Sequence, residues 1–332
     1  MQLKWHGSEW FERKGAKTVK IELFGKYIDV DGEIDAKTAI KIIQDALDHG
    51  NYDEYYTQPD IETFVATSSE EYLADLIQCR IQTMKYQDIN AATIDRWIEE
   101  GWEWGKPISH EAYCAAKRGE WEVFLTPTKP VPHEWIGTIN GKKVLGLASG
   151  GGQQMPILTA LGAECMVLDY SEKQIESERM VAEREKYDIH IVRADMSKRL
   201  PFDDGVFDMV FHPVSNCYIR DVKPVWRECW RILKPGGVLL SGVDHYINYI
   251  VDEEEREIIN HLPFDPLADE TQRAQLEAAD AGMQFSHSLE EQINGQLEAG
   301  FTLLNLYEDT NGEGRLHELN IPTFLAMRAV KR

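Results

Sequence analysis

The chain has 332 residues, of which 43% are hydrophobic and 28% charged, and its net charge is −22 at pH 7. This length allows one large or two moderate domains. No apolar run approaches the roughly 20 residues of a membrane span, and residues 1–15 lack the apolar segment of a signal peptide, so the cytoplasm is the predicted compartment. The acidic excess disfavours nucleic acid as a partner, because a polyanion is bound through a basic surface.

The cysteines are scattered and form no C-x-x-C pair. This spacing argues against a disulfide framework and against a zinc site, and we predict no metal. Cys165 lies in an apolar run and is expected to be a core residue.

The N-terminal segment has a pattern of its own. Strand-like runs around Gly25 and a turn at Asp31–Gly32 predict a hairpin within residues 18–33, and an apolar stripe predicts a helix from Asp35 to Gly50. A second helix is predicted from Ser68 or Ser69 to about Tyr86. No catalytic constellation is visible, so we predict that residues 1–90 form a small α+β accessory module, which would also offer a surface for a homodimer.

Residues 91–140 are predicted to carry N-terminal cap helices. Short helical patterns cover Thr93–Glu100 and Ser109–Arg118. The proline-rich stretch TPTKPVP, residues 126–132, then predicts a connector or a lid.

A βα alternation begins at Lys143. Apolar runs typical of buried strands occupy residues 143–147, 164–168, 189–193, 207–211 and 238–242. Helices are predicted between several of them, one opened by a capping box at Ser171–Gln174 and another from Asp221 to Leu233. This alternation indicates a doubly wound α/β sheet. Two late strands, 301–308 and 323–330, lack a clear crossover helix and predict an antiparallel edge.

A glycine-rich loop, residues 148–152, directly follows the first of these strands. Glycines permit a close approach of backbone to a ligand, although a tight strand-to-helix turn would also use them. A Walker loop would continue with Gly-Lys-Ser/Thr, whereas this sequence continues Gly-Gln-Gln. The contiguous glycines also match the dinucleotide pattern G-x-G-x-x-G poorly. S-Adenosylmethionine, which has no phosphate, is the third candidate ligand.

Polar residues end the following strands. Asp169 ends the second strand, where a carboxylate suits the ribose of either S-adenosylmethionine or NAD. Asp195 and Met196 end the third, and this pair suits an adenine amino group and its flat face. His212 ends the fourth strand.

This ordered set of motifs resembles the class I S-adenosylmethionine-dependent methyltransferases, most of all the bacterial small-molecule branch related to quinone biosynthesis. The resemblance covers about residues 92–332 and implies a seven-stranded Rossmann-like sheet with a reversed edge hairpin. Two positions depart from the family pattern, because Gly146 replaces an acidic residue and Ala148 replaces a glycine.

The resemblance also implies roles for site residues. The methionine part of the cofactor would be wrapped by the loop, and its ribose would be held by Asp169. Tyr170 would lie beside the adenine, which Asp195 and Met196 would hold. The implied cofactor contacts are therefore Ala148, Ser149, Gly150, Gly151, Gly152, Asp169, Tyr170, Asp195, Met196 and His212.

The segment FHPVSNCY, residues 211–218, lies where this family usually binds its acceptor. It lacks the N/D-P-P-Y motif of many amino-group methyltransferases, which disfavours planar amines. His212 is the candidate general base, with a packing or cofactor-contact role as the equal alternative. The candidate substrate residues are Ser215, Asn216, Tyr218, His245 and Tyr246, although capping and turn formation would equally explain the first three. Residues 247–288 are predicted to be a helical insertion that forms the other wall or a lid.

The predicted activity is in-line transfer of a methyl group from S-adenosylmethionine to a small-molecule acceptor. A general base helps only where the acceptor atom must lose a proton. Two alternatives remain open from the sequence: a regulatory protein that binds S-adenosylmethionine without turnover, and a Rossmann-type NAD-dependent oxidoreductase.

Overall fold

The computed structural model of the protein describes residues 18–23, 26–31, 41, 43 and 86–332. The chain divides into two compact units, one containing Thr93–Arg332 and the other Lys4–Ala92. In the smaller unit, β1 (Thr18–Leu23) pairs antiparallel with β2 (Lys26–Asp31), which confirms the predicted hairpin. Lys41 and Ile43 are helical, but the rest of the two predicted N-terminal helices, up to residue 85, lies outside the described residues.

Ten α-helices have defined bounds in the described chain, and the division between the two units falls within the first of them. In chain order they are α1 (Tyr86–Glu99), α2 (His110–Lys117), α3 (His133–Ile136), α4 (Gln154–Ala160), α5 (Glu172–Glu185), α6 (Lys223–Ile232), α7 (Ile247–Ile250), α8 (Glu270–Ala278), α9 (Gly295–Ala299) and α10 (Gly314–Glu318). The capping box predicted at Ser171 is confirmed in part, because the Ser171 hydroxyl oxygen accepts a hydrogen bond from Gln174 N, whereas Ser171 N donates to Asp169 rather than to the Gln174 side chain. The Ser109 hydroxyl oxygen accepts in the same way from the first turn of α2. The chain is already helical at Tyr86, so the boundary predicted after residue 90 falls inside α1.

Seven strands form the main sheet of the described chain: β3 (Lys143–Leu147), β4 (Glu164–Asp169), β5 (His190–Arg193), β6 (Phe207–His212), β7 (Leu233–Asp244), β8 (Phe301–Asp309) and β9 (Phe324–Lys331). Their order is β5-β4-β3-β6-β7-β9-β8. The first five are parallel, and β9 runs antiparallel to both β7 and β8. The predicted doubly wound sheet with an antiparallel edge hairpin is confirmed. The order reverses at β3, so ligands are expected beyond the carboxyl end of this strand.

The central strand shows why the sheet is covered on both faces. Successive side chains of a strand point to opposite faces. Leu145 and Leu147 of β3 pack in the apolar cluster that contains Trp226 of α6, and Val144 packs in the cluster that contains Leu158 of α4. Each face of the sheet is thus closed by a helix layer, and a continuous apolar run such as VLGL is expected for a strand in this position.

Two expectations about the chain after β6 are corrected. β7 begins at Leu233 rather than at residue 238, because Leu233 already pairs with Phe207 across an irregularity of the ladder. The insertion, residues 247–288, is helical only in α7 and α8. Pro263 and Pro266 lie between these helices, and proline interrupts helical hydrogen bonding.

The proline-rich connector is fastened to the edge of the sheet. The backbone N–H groups of Thr128 and Lys129 donate to Asp309 Oδ2, at 2.8 and 3.1 Å, at the end of β8. In the part of the chain that the structure describes, no helix is long and apolar enough to cross a membrane.

Candidate active site

The loops that follow β3, β4 and β5 meet at one edge of the sheet. Leu147 lies opposite Leu168, and Asp169 lies opposite Arg193. Backbone hydrogen bonds continue just past the strand ends, from Ala148 N to Leu168 O and from Ala194 N to Asp169 O, at 2.8 and 3.1 Å. The glycine loop, Asp169 and the residues after Ala194 are therefore neighbours beyond the carboxyl ends.

The loop uses backbone conformations that favour glycine. φ is +79° at Gly150 and +71° at Gly152, and it is +45° at Ala148, where the resembled family has glycine. A left-handed conformation costs a non-glycine residue about 1 kcal/mol, so the departure at Ala148 keeps the shape of the loop at a small cost in stability.

The second departure, Gly146, also has a steric explanation. A Cβ on Gly146 would lie 2.4 Å from Ser149 Oγ and 2.7 Å from Met155 Cγ. The space that an acidic side chain would need is occupied by these two residues. Ser149 is 2% exposed, and its Oγ has no hydrogen-bond partner among the described residues. This hydroxyl is a buried polar group available to a ligand in the loop.

The last two glycines of the loop face α5. A Cβ on Gly151 would lie 2.1 Å from the carbonyl oxygen of Gln174, and one on Gly152 would lie 2.6 Å from Val181 Cγ2. The N–H of Gly152 donates to Glu178 Oε2 at 2.6 Å. The backbone donor of Gly152, one of the implied cofactor contacts, is therefore already used by the protein.

Asp169 is a nearly buried carboxylate at the end of β4. It is 9% exposed, and its Oδ1 accepts a hydrogen bond from Ser171 N at 3.0 Å. Burial raises the pKa of Asp169 to about 6, and the charge of nearby Asp95 adds to this effect. A desolvated carboxylate gains from additional donors such as the hydroxyl groups of a ribose.

Asp95 of α1 was missed by the sequence reasoning. Its Oδ1 accepts from Ser171 Oγ at 2.5 Å and from Lys173 N at 3.1 Å, at the first turn of α5. A carboxylate is stabilised there by the unpaired N–H groups and by the helix dipole. Asp95 and this helix terminus are far apart in the chain, and no local pattern marks Asp95.

The remaining implied adenine-side residues lie around Arg193. Arg193 Nε donates to the carbonyl of Tyr170 at 3.1 Å, and its guanidinium lies 5.3 Å from the centre of the Tyr170 ring. Asp195 Oδ1 accepts from Ser197 N at 2.8 Å, which orders the turn after β5. Met196 is buried in the core cluster of this face.

His212 is fully buried, and both of its ring nitrogens are engaged. Nδ1 lies 2.8 Å from the carbonyl oxygen of Leu147, and Nε2 lies 2.8 Å from Oδ1 of Asn216. Burial lowers the pKa of His212, so the ring is neutral and carries one N–H. Since the Leu147 carbonyl can only accept, the proton is on Nδ1.

This tautomer determines how the side-chain amides of Asn216 and Gln292 must be oriented. Nε2 must accept, which requires Asn216 to turn its Nδ2 towards the ring. The oxygen of Asn216 then faces Gln292, whose Nε2 otherwise has no partner among the described residues. With both amides turned, the chain of hydrogen bonds is complete. Because both His212 nitrogens are engaged by the protein, this arrangement favours the packing alternative over the predicted base role.

The candidate substrate residues fall into two groups. Ser215 and Asn216 are buried and hold the loop after β6, with Ser215 Oγ donating to Pro213 O at 3.0 Å. Tyr218, His245 and Tyr246 are partly exposed residues near the ends of β6 and β7, and the Tyr218 side chain packs against the buried cluster of Cys217, Tyr249 and Phe264. The His245 and Tyr246 rings are 4.1 Å apart, and burial lowers the pKa of His245.

The insertion lies against the same loop. Phe285 N donates to Cys217 O at 2.8 Å, and Ser286 N donates to Phe264 O at 3.0 Å. At the end of β7, Asp244 is 2% exposed and accepts from Tyr249 OH at 2.5 Å. In residues 86–332 and the short described N-terminal pieces, no three His, Cys, Asp or Glu side chains are grouped to hold a metal ion.

Known proteins resemble this chain in sequence and in fold. A family profile described as "Methyltransferase domain" matches residues 145–241. The uncharacterised methyltransferase YbaJ of Bacillus subtilis (strain 168) is 40% identical over 250 residues, 73% of this chain and 97% of that protein. A demethylmenaquinone methyltransferase of Clavibacter sepedonicus is 33% identical over 103 residues, 31% of this chain and 41% of that protein. A solved S-adenosylmethionine-dependent methyltransferase from Mesorhizobium loti has a TM-score of 0.50 at 20% identity, covering 60% of this chain and 95% of that one.

The residues at the strand ends fit the cofactor of such enzymes. The glycine loop brings backbone and the unpartnered Ser149 hydroxyl to the end of β3, and the buried Asp169 carboxylate lies beside it at the end of β4. From the site, the fold and the relative matched along almost its whole length, we conclude that the chain belongs to the class I S-adenosylmethionine-dependent methyltransferases and uses S-adenosylmethionine as its cofactor.

Proposed function

We propose that the enzyme methylates a small-molecule acceptor, bound beyond the carboxyl ends of β6 and β7. The observation that carries this proposal is the position of three partly exposed residues, Tyr218, His245 and Tyr246. They follow β6, which is next to β3 in the sheet order, and β7, which is next to β6. A molecule resting on them would lie next to the glycine loop.

The cofactor side of the proposal uses the residues at the ends of β3, β4 and β5. Ala148–Gly150 and the Ser149 hydroxyl would contact the methionine part, and Asp169 would accept from the ribose. Tyr170, Asp195 and Met196 would border the adenine. The bound cofactor supplies a methyl group that is already activated by its sulfonium.

The chain itself would contribute mainly alignment and exclusion of water. Holding two reactants in a productive geometry is worth up to about 7–11 kcal/mol, which makes proximity the main source of rate enhancement here. His212 would support the wall of the site through Leu147 and Asn216 rather than exchange a proton. The insertion, which contacts the loop after β6, would close the acceptor side.

The net charge of the chain and the name of one relative support a small-molecule acceptor. A net charge of −22 disfavours a nucleic-acid acceptor. The demethylmenaquinone methyltransferase similar to part of this chain is named for a small quinone-type molecule. A homodimer through residues 1–90 and a cytoplasmic location remain predictions from the sequence.

The proposal is tested in two steps, and the first is a calorimetric titration of cofactor binding. The full-length wild type is titrated with S-adenosylmethionine and S-adenosylhomocysteine, beside Asp169→Ala and the control Asp188→Ala, an exposed aspartate just before β5. We expect the wild type and Asp188→Ala to bind both ligands and Asp169→Ala to lose at least about tenfold in affinity, the value of one or two charged hydrogen bonds.

The second step screens acceptors by release of S-adenosylhomocysteine. Turnover with any small hydroxyl, thiol, amine or quinol compound supports the proposal and names the acceptor class. Binding without turnover across the panel would instead favour a regulatory protein, and binding of NADH in place of S-adenosylmethionine would contradict the cofactor assignment.

A further inference from the structure

Glu178 is a buried acidic residue that the catalytic proposal does not use. It lies in the middle of α5 and is 0% exposed. Glutamate is rarely buried to this extent without a cationic partner. Among the described ion pairs none involves Glu178, and its contacts are Gly152 N, 2.6 Å from Oε2, and Tyr187 OH, 3.3 Å from Oε1. These contacts indicate that Glu178 acts on the glycine loop.

The second half of the loop is held from two sides. Glu178 accepts from Gly152 N, and the carbonyl of Gly152 accepts from Ile108 N at 2.8 Å. The side-chain amide of Gln153 donates to the carbonyl of Lys106 at 3.0 Å. Ala148–Gly150 is the part of the loop left to contact the cofactor, and its position depends on the anchored half that follows it.

Helix α5 connects this anchor to the other cofactor-binding residue. The helix begins shortly after Asp169, and Ser171 is its N-cap. Glu178 lies about two turns further along. Helix α5 therefore links the glycine loop after β3 to Asp169 at the end of β4. A change in the contact between α5 and Gly152 would affect both parts of the cofactor site.

We propose that Glu178 is a positioning residue whose ionised carboxylate anchors the glycine loop to α5 and thereby sets the affinity for the cofactor. The proposal rests on the function proposed above. Ionised Glu178 forms a charge-assisted hydrogen bond with Gly152 N, and protonation weakens it to a bond between neutral groups. Cofactor affinity therefore falls when Glu178 takes up a proton.

The titration of Glu178 is expected near neutrality. Burial raises the pKa of Glu178 to about 7, in spite of the lowering by its two hydrogen bonds. The groups that face it stay unchanged in this range. Burial raises the pKa of Cys165 of β4 to about 12, and it also raises the pKa of Tyr187 and of Tyr113, whose ring stacks on Tyr187. Burial raises the pKa of Asp169 at the same site to about 6, so the experiment must separate the two carboxyl groups.

The test compares the pH dependence of cofactor binding in matched variants. The dissociation constants of S-adenosylmethionine and S-adenosylhomocysteine are measured across neutral pH for the full-length wild type, Glu178→Gln and Glu176→Gln. Glu176 is an exposed glutamate on the same helix, so its variant changes the charge of α5 equally but leaves the anchor intact. In Glu178→Gln the new amide can still accept from Gly152 and donate to the Tyr187 oxygen, so the fold is kept.

We expect the wild type and Glu176→Gln to bind both ligands about two- to threefold more tightly above about pH 7.5 than at about pH 6.3, because this range titrates only part of a roughly fivefold difference between a charged and a neutral hydrogen bond. Glu178→Gln should lack this step and bind both ligands at the weaker level. Tyr187→Phe removes one hydrogen bond of the ionised form, so the step should move to higher pH.

Two results would contradict the proposal that Glu178 anchors the glycine loop. One is a wild-type affinity that does not change across this pH range, or a step that survives in Glu178→Gln and stays unmoved in Tyr187→Phe. The other is a loss confined to the cationic S-adenosylmethionine, which would indicate direct charge attraction instead of loop position. Failure of the wild type to bind either ligand at any pH would contradict the proposed function itself, so the two failures are distinguishable.

Discussion

Gly151 lies so close to Gln174 that a Cβ on the glycine would be 2.1 Å from the carbonyl oxygen of the glutamine. The neighbouring atom belongs to the backbone of α5 and cannot rotate away. The contiguous glycines therefore serve two different needs. Gly150 and Gly152 adopt positive φ, whereas Gly151 allows α5 to approach the loop.

Gly151→Ala tests this close approach. The added methyl must push the loop away from α5, and we expect a loss of about 1–3 kcal/mol in the free energy of unfolding, as for other overpacked sites. Cofactor affinity should fall as well, because the loop moves. Urea unfolding and calorimetric titration give the two values. Gly119→Ala, whose new Cβ meets nothing within 4 Å, is the control; it should lose only the cost of a side chain at positive φ, about 1 kcal/mol, and keep the cofactor affinity of the wild type. Equal stability of Gly151→Ala and wild type would disprove the packing role.

The strands of the main sheet could be predicted from the sequence because they are short apolar runs between glycine, proline and capping residues. All seven strands, the reversed edge and the helix start at Ser171 followed from local patterns. Asp95 and Glu178 did not, since each acts across the fold on a segment far away in the chain. For Glu178 one signal existed: it shares the buried face of α5 with Ile175 and Val181, where a charged residue is unexpected. The partners that engage both nitrogens of His212 could not be predicted either, because Leu147 and Asn216 meet the ring only in the tertiary structure.

Asp169→Asn measures the stability cost of burying the Asp169 carboxylate, which we propose binds the ribose of the cofactor. Burial raises the pKa of Asp169 to about 6 from 3.8, so this group favours the folded state fully below pH 3.8 and loses that contribution as the pH rises through 6. The variant should be more stable than the wild type at high pH, on the order of 2 kcal/mol, with a difference that shrinks as the pH falls.

Thermal and urea unfolding across the acidic and neutral range check this expectation. Asp188→Asn, with an exposed side chain, should follow the wild type across the whole range. A variant of Asp169 that is less stable than the wild type above neutrality would mean that the ionised carboxylate is stabilised by the fold, contrary to the burial argument.

Arg231 and Glu228 should matter for stability but not for the cofactor. The pair is 13% and 15% exposed with a separation of 2.6 Å, and Arg231 also donates to the carbonyls of Leu200 and Phe202. The hydrogen bond with Arg231 lowers the pKa of Glu228 from 4.5, so the pair stabilises the fold above pH 4.5 and loses its effect as the pH falls through that lowered pKa.

Arg231→Ala leaves Glu228 and two carbonyl groups without this partner, and we expect a loss of about 3 kcal/mol at neutral pH. Arg227→Ala, an exposed arginine on the same helix, is the control and should change stability by less than about 0.5 kcal/mol. Where Arg231→Ala is still folded, its affinity for S-adenosylmethionine should equal that of the wild type. A selective loss of affinity would show that this network reaches the site.

The structural role of His212 leads to a prediction about its protonation and its replacement. Because Nδ1 donates to Leu147 and burial lowers the pKa of the ring, nitrogen-detected NMR should find the neutral Nδ1–H tautomer throughout the neutral range.

His212→Asn keeps a donor near the Leu147 carbonyl but removes the acceptor for Asn216, so it should cost about 1–3 kcal/mol of stability. Its turnover should remain within a few-fold of the wild type, with an unchanged pH profile, whereas loss of a general base would lower kcat by about 10²–10⁴. His190→Asn, at the exposed start of β5, controls for the substitution itself. A folded His212→Asn enzyme with a kcat reduced about a hundredfold would restore the base assignment and require one ring nitrogen to be released when the acceptor binds.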